Sequence, residues 1–341
     1  MSSAKPHIGM VSWDFDPPIG GMGSHVRSLV ESLRSDGWPV SVLSQKDIRI
    51  PGRNIGFSIA LMFVLRRWIK RQGIDILHVH TGPGGVLLFR SVPVPLVVTA
   101  NHTYHQQAQL PRQRWKCFLF PWERRTYRLA HRVVCISADT EEILCKEYAI
   151  PRSVLSVIPC GFSLPKLPAD AEHIRRSLAV VFVGRPDVRK GWGVLFRAWE
   201  RVHAVLPEAI LHVVGFSGVS RPAVRFHGRL SAAELRSLVM DSRCVVCPSL
   251  FEGFGLSAAE AIASGTPVVA TNVAGLRSII RNEQTGLLSP VEPTAFADRI
   301  LRVLTDDSLW EHLRRGGLAD RHRFDSSLER DAYASLYRAL Y

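Results

Sequence analysis

No apolar run in this chain approaches the length of a membrane span. The longest, "FSIALMFVL" from Phe57 to Leu65, is far short of the roughly 20 residues that cross a bilayer as a helix. The opening "MSSAKPHIGMVSWDFDPP" has no signal-peptide apolar core, so a cytoplasmic protein is expected. Cysteine is scarce: there are six, and the single C-x-x-C, Cys244 to Cys247, lies inside an apolar strand pattern with no second pair or histidine motif beside it. Reduced core thiols are expected there rather than a zinc site, and no metal is expected elsewhere. Low-complexity tracts and tandem repeats are lacking, which, with 46% hydrophobic and 21% charged residues, excludes a disordered chain. Acid is in short supply. The formal net charge is +13, and residues 1–165 hold 20 Lys and Arg against 11 Asp and Glu. A basic first half implies an anionic partner: nucleic acid, a phospholipid surface or a phosphorylated substrate. Aromatic-basic recognition motifs and basic helices of the DNA-reading kind are missing, which sets nucleic acid aside.

What is there is an alternation. At 341 residues the chain is too long for one ordinary core and suits two domains of about 150 to 170 residues each. "KPHIGMVSW" reads as a strand, followed by a glycine-rich turn and a helix whose Val26, Leu29, Val30 and Leu33 share one face. Further strands are expected at "VSVLS", "DILHVH", "PLVVTA", "HRVVCIS" and "LSVIP". Three prolines in "PCGFSLPKLPADAEH", residues 159–173, mark a linker. The pattern restarts with "LAVVFVG", "AILHVVG", "VRFHG", "CVVCP", "PVVAT" and "TGLLS". Strand and helix in alternation predict two doubly wound parallel sheets facing across a cleft, with domains at 1–165 and 166–325. Residues 326–341 form a terminal helix, with Tyr333, Leu336, Tyr337 and Leu340 along one side, expected to return to the first domain.

Ligands of open α/β sheets bind outside the carboxyl ends of the strands, where helix N-termini offer free N–H groups. Four segments fall there. "SLFEGFGLSAAEA" puts Glu252 and Glu260 on either side of Gly253, Phe254 and Gly255 at a strand-to-helix corner. Ser257 and Glu260 also spell a capping box, in which Glu260 does no more than return a hydrogen bond to its own helix start. "VGRPDVRKGW" sets Arg185 and Lys190 before a helix beginning near Trp192, an unfavourable place for cations unless an anion lies between. It does not match a Walker A loop. "GGMG" brings Gly20, Gly21 and Gly23 to a helix start, without the third glycine or the acidic strand end of a dinucleotide fingerprint. "VTANHTYHQQ" places His102 and His105 after a strand, where a histidine can donate to a hydroxyl or phosphate. His78 and His80 alternate within a strand and read as packing, and Asp14 and Asp16 read as a turn.

Taken in order, these segments resemble one family. "FEGFGLSAAEA" resembles the E-x7-E signature of the retaining glycosyltransferases of family 4, "VGRPDVRKG" their Arg and Lys phosphate loop, "PPIGGMGSHV" their glycine loop, and "VVTANHTYH" their strand-end histidine segment. The resemblance spans nearly the whole chain. It implies the GT-B fold of two Rossmann-like domains, a nucleotide-sugar donor (UDP-, GDP- or ADP-linked) as substrate, no cofactor, and an acceptor held mainly by the first domain. It further implies that Glu252 contacts the donor sugar and that the backbone of Gly253, Phe254 and Gly255 approaches its hydroxyls. Glu260 would hold the ribose, Arg185 and Lys190 the diphosphate, and His102 the region of sugar and acceptor. The family often has proline where Ser257 stands, an acid near Phe216, and Gly-Val-Asp where this chain has Gly161, Phe162 and Ser163. The second departure leaves the nucleotide contact open. A sugar-nucleotide epimerase shares such an architecture, but the intact Glu252 to Glu260 spacing favours transfer to a saccharide or lipid-linked acceptor. Two basic, aromatic segments remain: "FSIALMFVLRRWIKR", and "RQRWKCFLFPWERRTYR". Their composition suits contact with an anionic membrane surface; a core helix with a solvated basic end is the other reading of the first.

Overall fold

The computed structural model describes residues 5–48, 50–110, 112–167, 177–219 and 221–341. Arg49 and the later part of the proline-marked linker, residues 168–173, lie outside them. The chain divides into two compact units, residues 1–163 with 325–341, and residues 164–324.

In the first unit, β1 (Ile8–Val11), α1 (Gly21–Ser35), β2 (Val40–Leu43), α2 (Arg53–Gln72), β3 (Ile76–Thr81), β4 (Leu96–Ala100), α3 (Tyr104–Ala108), α4 (Phe120–Leu129), β5 (Arg132–Cys135), α5 (Ala138–Lys146) and β6 (Leu155–Val157) follow in turn. The strands form one sheet in the order β2-β1-β3-β4-β5-β6, every pairing parallel. Strands β1, β3 and β4 are buried throughout. Being covered on both faces, β1 and β4 read as nearly continuous apolar runs rather than as alternating ones, while β3 interleaves His78 and His80 with its apolar residues. One face carries α2, α4 and α5: Phe57, Leu61, Leu65, Tyr127, Leu144 and Tyr148 share a core with Val79 and Val98. Helix α2 thus divides the longest apolar run. Phe57, Leu61 and Leu65 turn inward at a spacing of four, while Ile59 and Phe63 face solvent.

The second unit repeats the scheme: β7 (Ala179–Val183), α6 (Trp192–Val205), β8 (Ile210–Val214), β9 (Val224–Gly228), α7 (Ala232–Met240), β10 (Cys244–Cys247), α8 (Leu256–Ala263), β11 (Val268–Thr271), α9 (Ala274–Ile279), β12 (Gly286–Ser289), α10 (Pro293–Thr305) and α11 (Asp307–Asp320). Its sheet runs β12-β11-β10-β7-β8-β9, again parallel. Cys244 and Cys247 are buried thiols on β10. Helix α7 opens with a capping box in which Ser231 Oγ accepts the Glu234 N–H and the Glu234 carboxylate accepts the Ser231 N–H.

The last helix, α12 (Ser326–Arg338), packs in the first unit on the sheet face opposite α2, with α1. Tyr333 and Tyr337 lie in that core with Val26, Leu29 and Val30. Polar bonds tie it down: the Tyr337 hydroxyl lies 2.6 Å from His78 Nδ1, and Tyr333 Oη 2.8 Å from Thr99 Oγ1. Glu329 bonds the Gly161 N–H at 3.0 Å and His25 Nε2 at 2.5 Å. His78 and His80 are fully buried, in keeping with packing. No described helix is long and apolar enough to cross a membrane.

Candidate functional site

Each unit brings a different set of the sequence-derived residues to the carboxyl ends of its strands. In the second unit, β10 ends at Cys247 and the chain turns through Ser249 and Glu252 into α8, whose N-cap is Gly255. Gly255 adopts φ +98°, and a Cβ there would lie 2.7 Å from Leu276 Cδ2, so only glycine makes this corner. Helix α8 therefore starts at Leu256, and Ser257 is already inside it. The capping box that Ser257 and Glu260 spell, the alternative reading of Glu260, does not form, because a cap needs non-helical backbone at the serine; no side chain caps α8. Glu260 stands on the exposed side of the helix, and among the described residues its carboxylate makes no hydrogen bond or ion pair.

Glu252 is the electrostatic centre of this unit. Lys190 Nζ lies 2.6 Å from Oε2 and Arg189 Nη1 2.9 Å from Oε1, with the three side chains 12 to 18% exposed. Ser249 Oγ donates to Oε2 at 3.3 Å. Burial alone would raise the carboxyl's pKa, but Lys190 and Arg189 overcome that and hold it well below the usual carboxylate range. Both cations come from the loop after β7, where a 3-10 turn at residues 188–190 leads to the N-cap of α6, Gly191. The anion that the sequence required beside Lys190 is thus supplied by the protein itself. Arg189 escaped the sequence reading. Its signal, adjacency to Lys190, is weak, since only the turn aims both side chains the same way. Arg185 is exposed, and its carbonyl accepts from Trp192 Nε1 at 3.2 Å; it is not drawn into the Glu252 cluster. Neither α6 nor α8 has a side-chain cap, so both N-termini present N–H groups on this edge.

In the first unit, Asp14 organises the glycine loop. Its buried carboxylate accepts from the N–H of Ile19 at 2.7 Å and of Gly20 at 2.9 Å. A Cβ on Gly23 would lie 2.4 Å from that carboxylate, which explains the glycine in the first turn of α1. His102 follows β4. Its Nε2 is 2.8 Å from Gln107 Nε2, and Lys116 donates to the same amide's Oε1. The lysine fixes which way the amide points, so Gln107 Nε2 donates toward His102 Nε2. The capping box of α3 uses Thr103 and Gln106, and the Tyr104 N–H donates to Glu123 Oε2 at 2.9 Å. Burial pushes Glu123 up to about 8, against hydrogen bonds from Tyr148, the Tyr104 amide and Tyr127 that pull it down. Glu123 and Gln107 were not singled out by sequence; an acid in the first turn of α4 and an amide within α3 are ordinary helix residues and carry no mark of a site.

The family models place this geometry. Residues 19–166 match the model for Glycosyltransferase Family 4 and residues 177–306 that for Glycosyl transferases group 1. A phosphatidyl-myo-inositol mannosyltransferase of Mycobacterium leprae is 30% identical over 98% of this chain and 96% of its own. The chain belongs to glycosyltransferase family 4. Solved relatives carry the same GT-B fold. A sucrose-phosphate synthase from Thermosynechococcus elongatus superposes with a TM-score of 0.79 at 23% identity, covering 98% of this chain and 99% of that one. An Anabaena protein crystallised with UDP-glucose gives 0.73 at 17%, covering 98% and 100%. The two six-stranded parallel sheets are the two Rossmann-like halves of that fold, and the protein is a glycosyltransferase.

Proposed function

We propose that this glycosyltransferase moves a hexosyl group from a nucleoside-diphosphate sugar to a saccharide or lipid-linked acceptor with retention of configuration and without a metal ion. The observation that carries the reading is Glu252 held between Arg189 and Lys190, beside two uncapped helix N-termini. A diphosphate entering there meets Lys190, Arg189, the exposed Arg185 and the N–H groups of α6 and α8. Such preorganised donors and charges commonly provide the largest single catalytic contribution, and they serve the role a divalent ion would otherwise fill.

In the step we propose, the bond from the anomeric carbon to the diphosphate oxygen breaks as the acceptor oxygen bonds the same carbon from the same face. The departing phosphate oxygen takes the acceptor's proton. Glu252, with the backbone of Gly253, Phe254 and Gly255, orients the donor sugar, Glu260 holds the ribose, and His102, Gly20, Gly21 and Gly23 line the approach of sugar and acceptor. The Anabaena neighbour's UDP-glucose supports a nucleotide-sugar donor, and the mycobacterial relative's name supports a lipid-linked acceptor. We accordingly propose a cytoplasmic enzyme of envelope saccharide synthesis.

Thermal-shift screening against UDP-, GDP- and ADP-sugars tests the donor site, since a ligand at 100 times its Kd adds about 2.7 kcal/mol. One nucleotide class should raise the Tm, and nucleotide release should then depend on added acceptor. No shift from any member of the panel would overturn the assignment.

A further inference from the structure

The first unit carries a surface that the transfer chemistry does not use. From residue 48 to residue 138 the chain holds 14 Lys and Arg but two acids, Asp75 and Glu123. Neither acid is available to a partner: Glu123 is fully buried, and Asp75 accepts the His7 N–H at 2.8 Å. Large apolar side chains point outward in the same stretch. Phe63 is 75% exposed on α2, and Phe118 is 77% exposed in the 3-10 turn Arg114–Leu119 that leads into α4. Ile59, Trp115 and Trp122 are exposed beside them. Isolated exposed apolar residues are ordinary, but aromatics ringed by cations are not.

The two segments, about 55 residues apart in sequence between Phe63 and Phe118, are joined in space by the strap at residues 87–91. Leu87 N–H bonds Ser58 Oγ on α2 at 2.9 Å, and Arg66 Nη2 donates to Ser91 O at 3.2 Å. From the other side, Leu88 N–H bonds Thr126 Oγ1 at 2.9 Å, Arg125 donates to Phe89 O at 3.0 Å, and the Phe89 and Trp122 rings meet edge to face at 5.2 Å. Helices α2 and α4 cover the same face of the sheet, so their outer sides and the strap make one surface. In a parallel α/β unit each helix runs back against the strands, which puts its N-terminal end at their carboxyl edge. Ile59 and the turn bearing Trp115 and Phe118 therefore lie toward the edge that holds His102 and the glycine loop, while Arg66, Arg67 and Lys70 lie toward the far end of α2.

We infer that this surface docks on a bilayer containing anionic phospholipid, with Ile59, Phe63, Trp115 and Phe118 entering the headgroup boundary and Arg66, Arg67 and Lys70 lying on the lipid phosphates. Helices α2 and α4 carry exposed apolar side chains beside cations, and neither exposes an acid of its own, which matches an interface of apolar depth and negative surface charge. Docking in this orientation presents the acceptor-side edge to the membrane, so an acceptor anchored in lipid reaches it without leaving the bilayer.

The test is cosedimentation of the whole protein with vesicles of phosphatidylcholine, with and without phosphatidylglycerol. Binding should require phosphatidylglycerol and weaken with salt. Arg66→Gln/Arg67→Gln should lower the partition coefficient about 30-fold, at about 1 kcal/mol per cation near an anionic leaflet. Phe63→Ser/Phe118→Ser should lower it and remove the blue shift of tryptophan emission on vesicle addition. All four side chains are exposed, so Phe63→Ser/Phe118→Ser should keep the parent Tm, Arg66→Gln/Arg67→Gln should lose no more than the exposed Arg66 bond to Ser91 O, and both should keep the parent response to sugar nucleotide, which separates this docking from the transfer reading. Equal recovery in the supernatant with both vesicles at low salt would overturn it. So would undiminished binding by both variants, or a concentration-dependent dimer that Phe63→Ser/Phe118→Ser dissolves without any vesicle binding.

Discussion

Replacing Glu252 by glutamine keeps the shape of the second unit's strand-to-helix corner and removes its charge. The carboxylate now sits 2.6 Å from Lys190 and 2.9 Å from Arg189, all three 12 to 18% exposed. Taking away one partner leaves two largely desolvated cations facing each other, and losing one side of a buried pair costs about 3 to 5 kcal/mol. Because some solvent reaches the cluster, we expect about 3 kcal/mol, a Tm lower by about 6 to 12 °C for a unit of this size, and a protein that still folds within an ordinary margin of about 5 to 15 kcal/mol. Transfer should fall by at least about 100-fold, the scale for removing a preorganised electrostatic group. The two effects separate in the presence of an anion. Inorganic pyrophosphate should bind the uncompensated cations and raise the variant's Tm by more than the parent's, while leaving turnover low. Scanning fluorimetry with and without pyrophosphate, beside nucleotide-release kinetics, reads both. Parent Tm with parent turnover would refute the central place given to Glu252, and equal stabilisation of both proteins by pyrophosphate would refute the idea that it neutralises the diphosphate's cations.

Lys190→Ala should also cost about 100-fold in transfer yet destabilise less than Glu252→Gln, because Arg189 still neutralises the acid; turnover and Tm measured together check the asymmetry. Activity should survive EDTA, with Arg185, Arg189, Lys190 and the helix N-termini at the diphosphate; loss restored by magnesium or manganese would count against this. Glu123 predicts a pH dependence. With its carboxyl pushed up to about 8 from an ordinary 4.5, the folded state holds a proton that the unfolded chain has released, so its contribution to stability is full below pH 4.5 and is lost as pH rises toward 8. Glu123→Gln should flatten the fall in Tm across that window, and parallel Tm profiles for the two proteins would show that Glu123 is not its source.

The parallel sheets were legible because strands buried on both faces are short, β-branched and bounded by turn residues; Ile8–Val11, Leu96–Ala100 and Val268–Thr271 announce themselves without any partner in view. The position of Glu252 and Lys190 at strand ends follows from the same alternation, since what comes after a strand and before a helix must lie at the carboxyl edge. Pairing between those edges is a different matter. That Arg189 joins Lys190 on Glu252 depends on a 3-10 turn and on the adjacency of β7 and β10, neighbours that lie about 60 residues apart in sequence.

The failed capping box shows the limit most plainly. Ser231 and Glu234 spell the motif and form it; Ser257 and Glu260 spell it equally well and do not, because Gly255, pressed against Leu276 at φ +98°, is the N-cap of α8 two residues before Ser257. The outer face of α2 was split in the same way: the apolar run from Phe57 to Leu65 marked a segment to be buried, while packing against the sheet and the strap at residues 87–91 decided which of its residues face water. Local pattern determined the elements, their order and the edge on which the chemistry gathers, since those follow from backbone propensity and apolar period along the chain. Tertiary structure alone decided which charges meet and which aromatics stay exposed, because ion pairing and burial depend on distances that sequence separation does not encode.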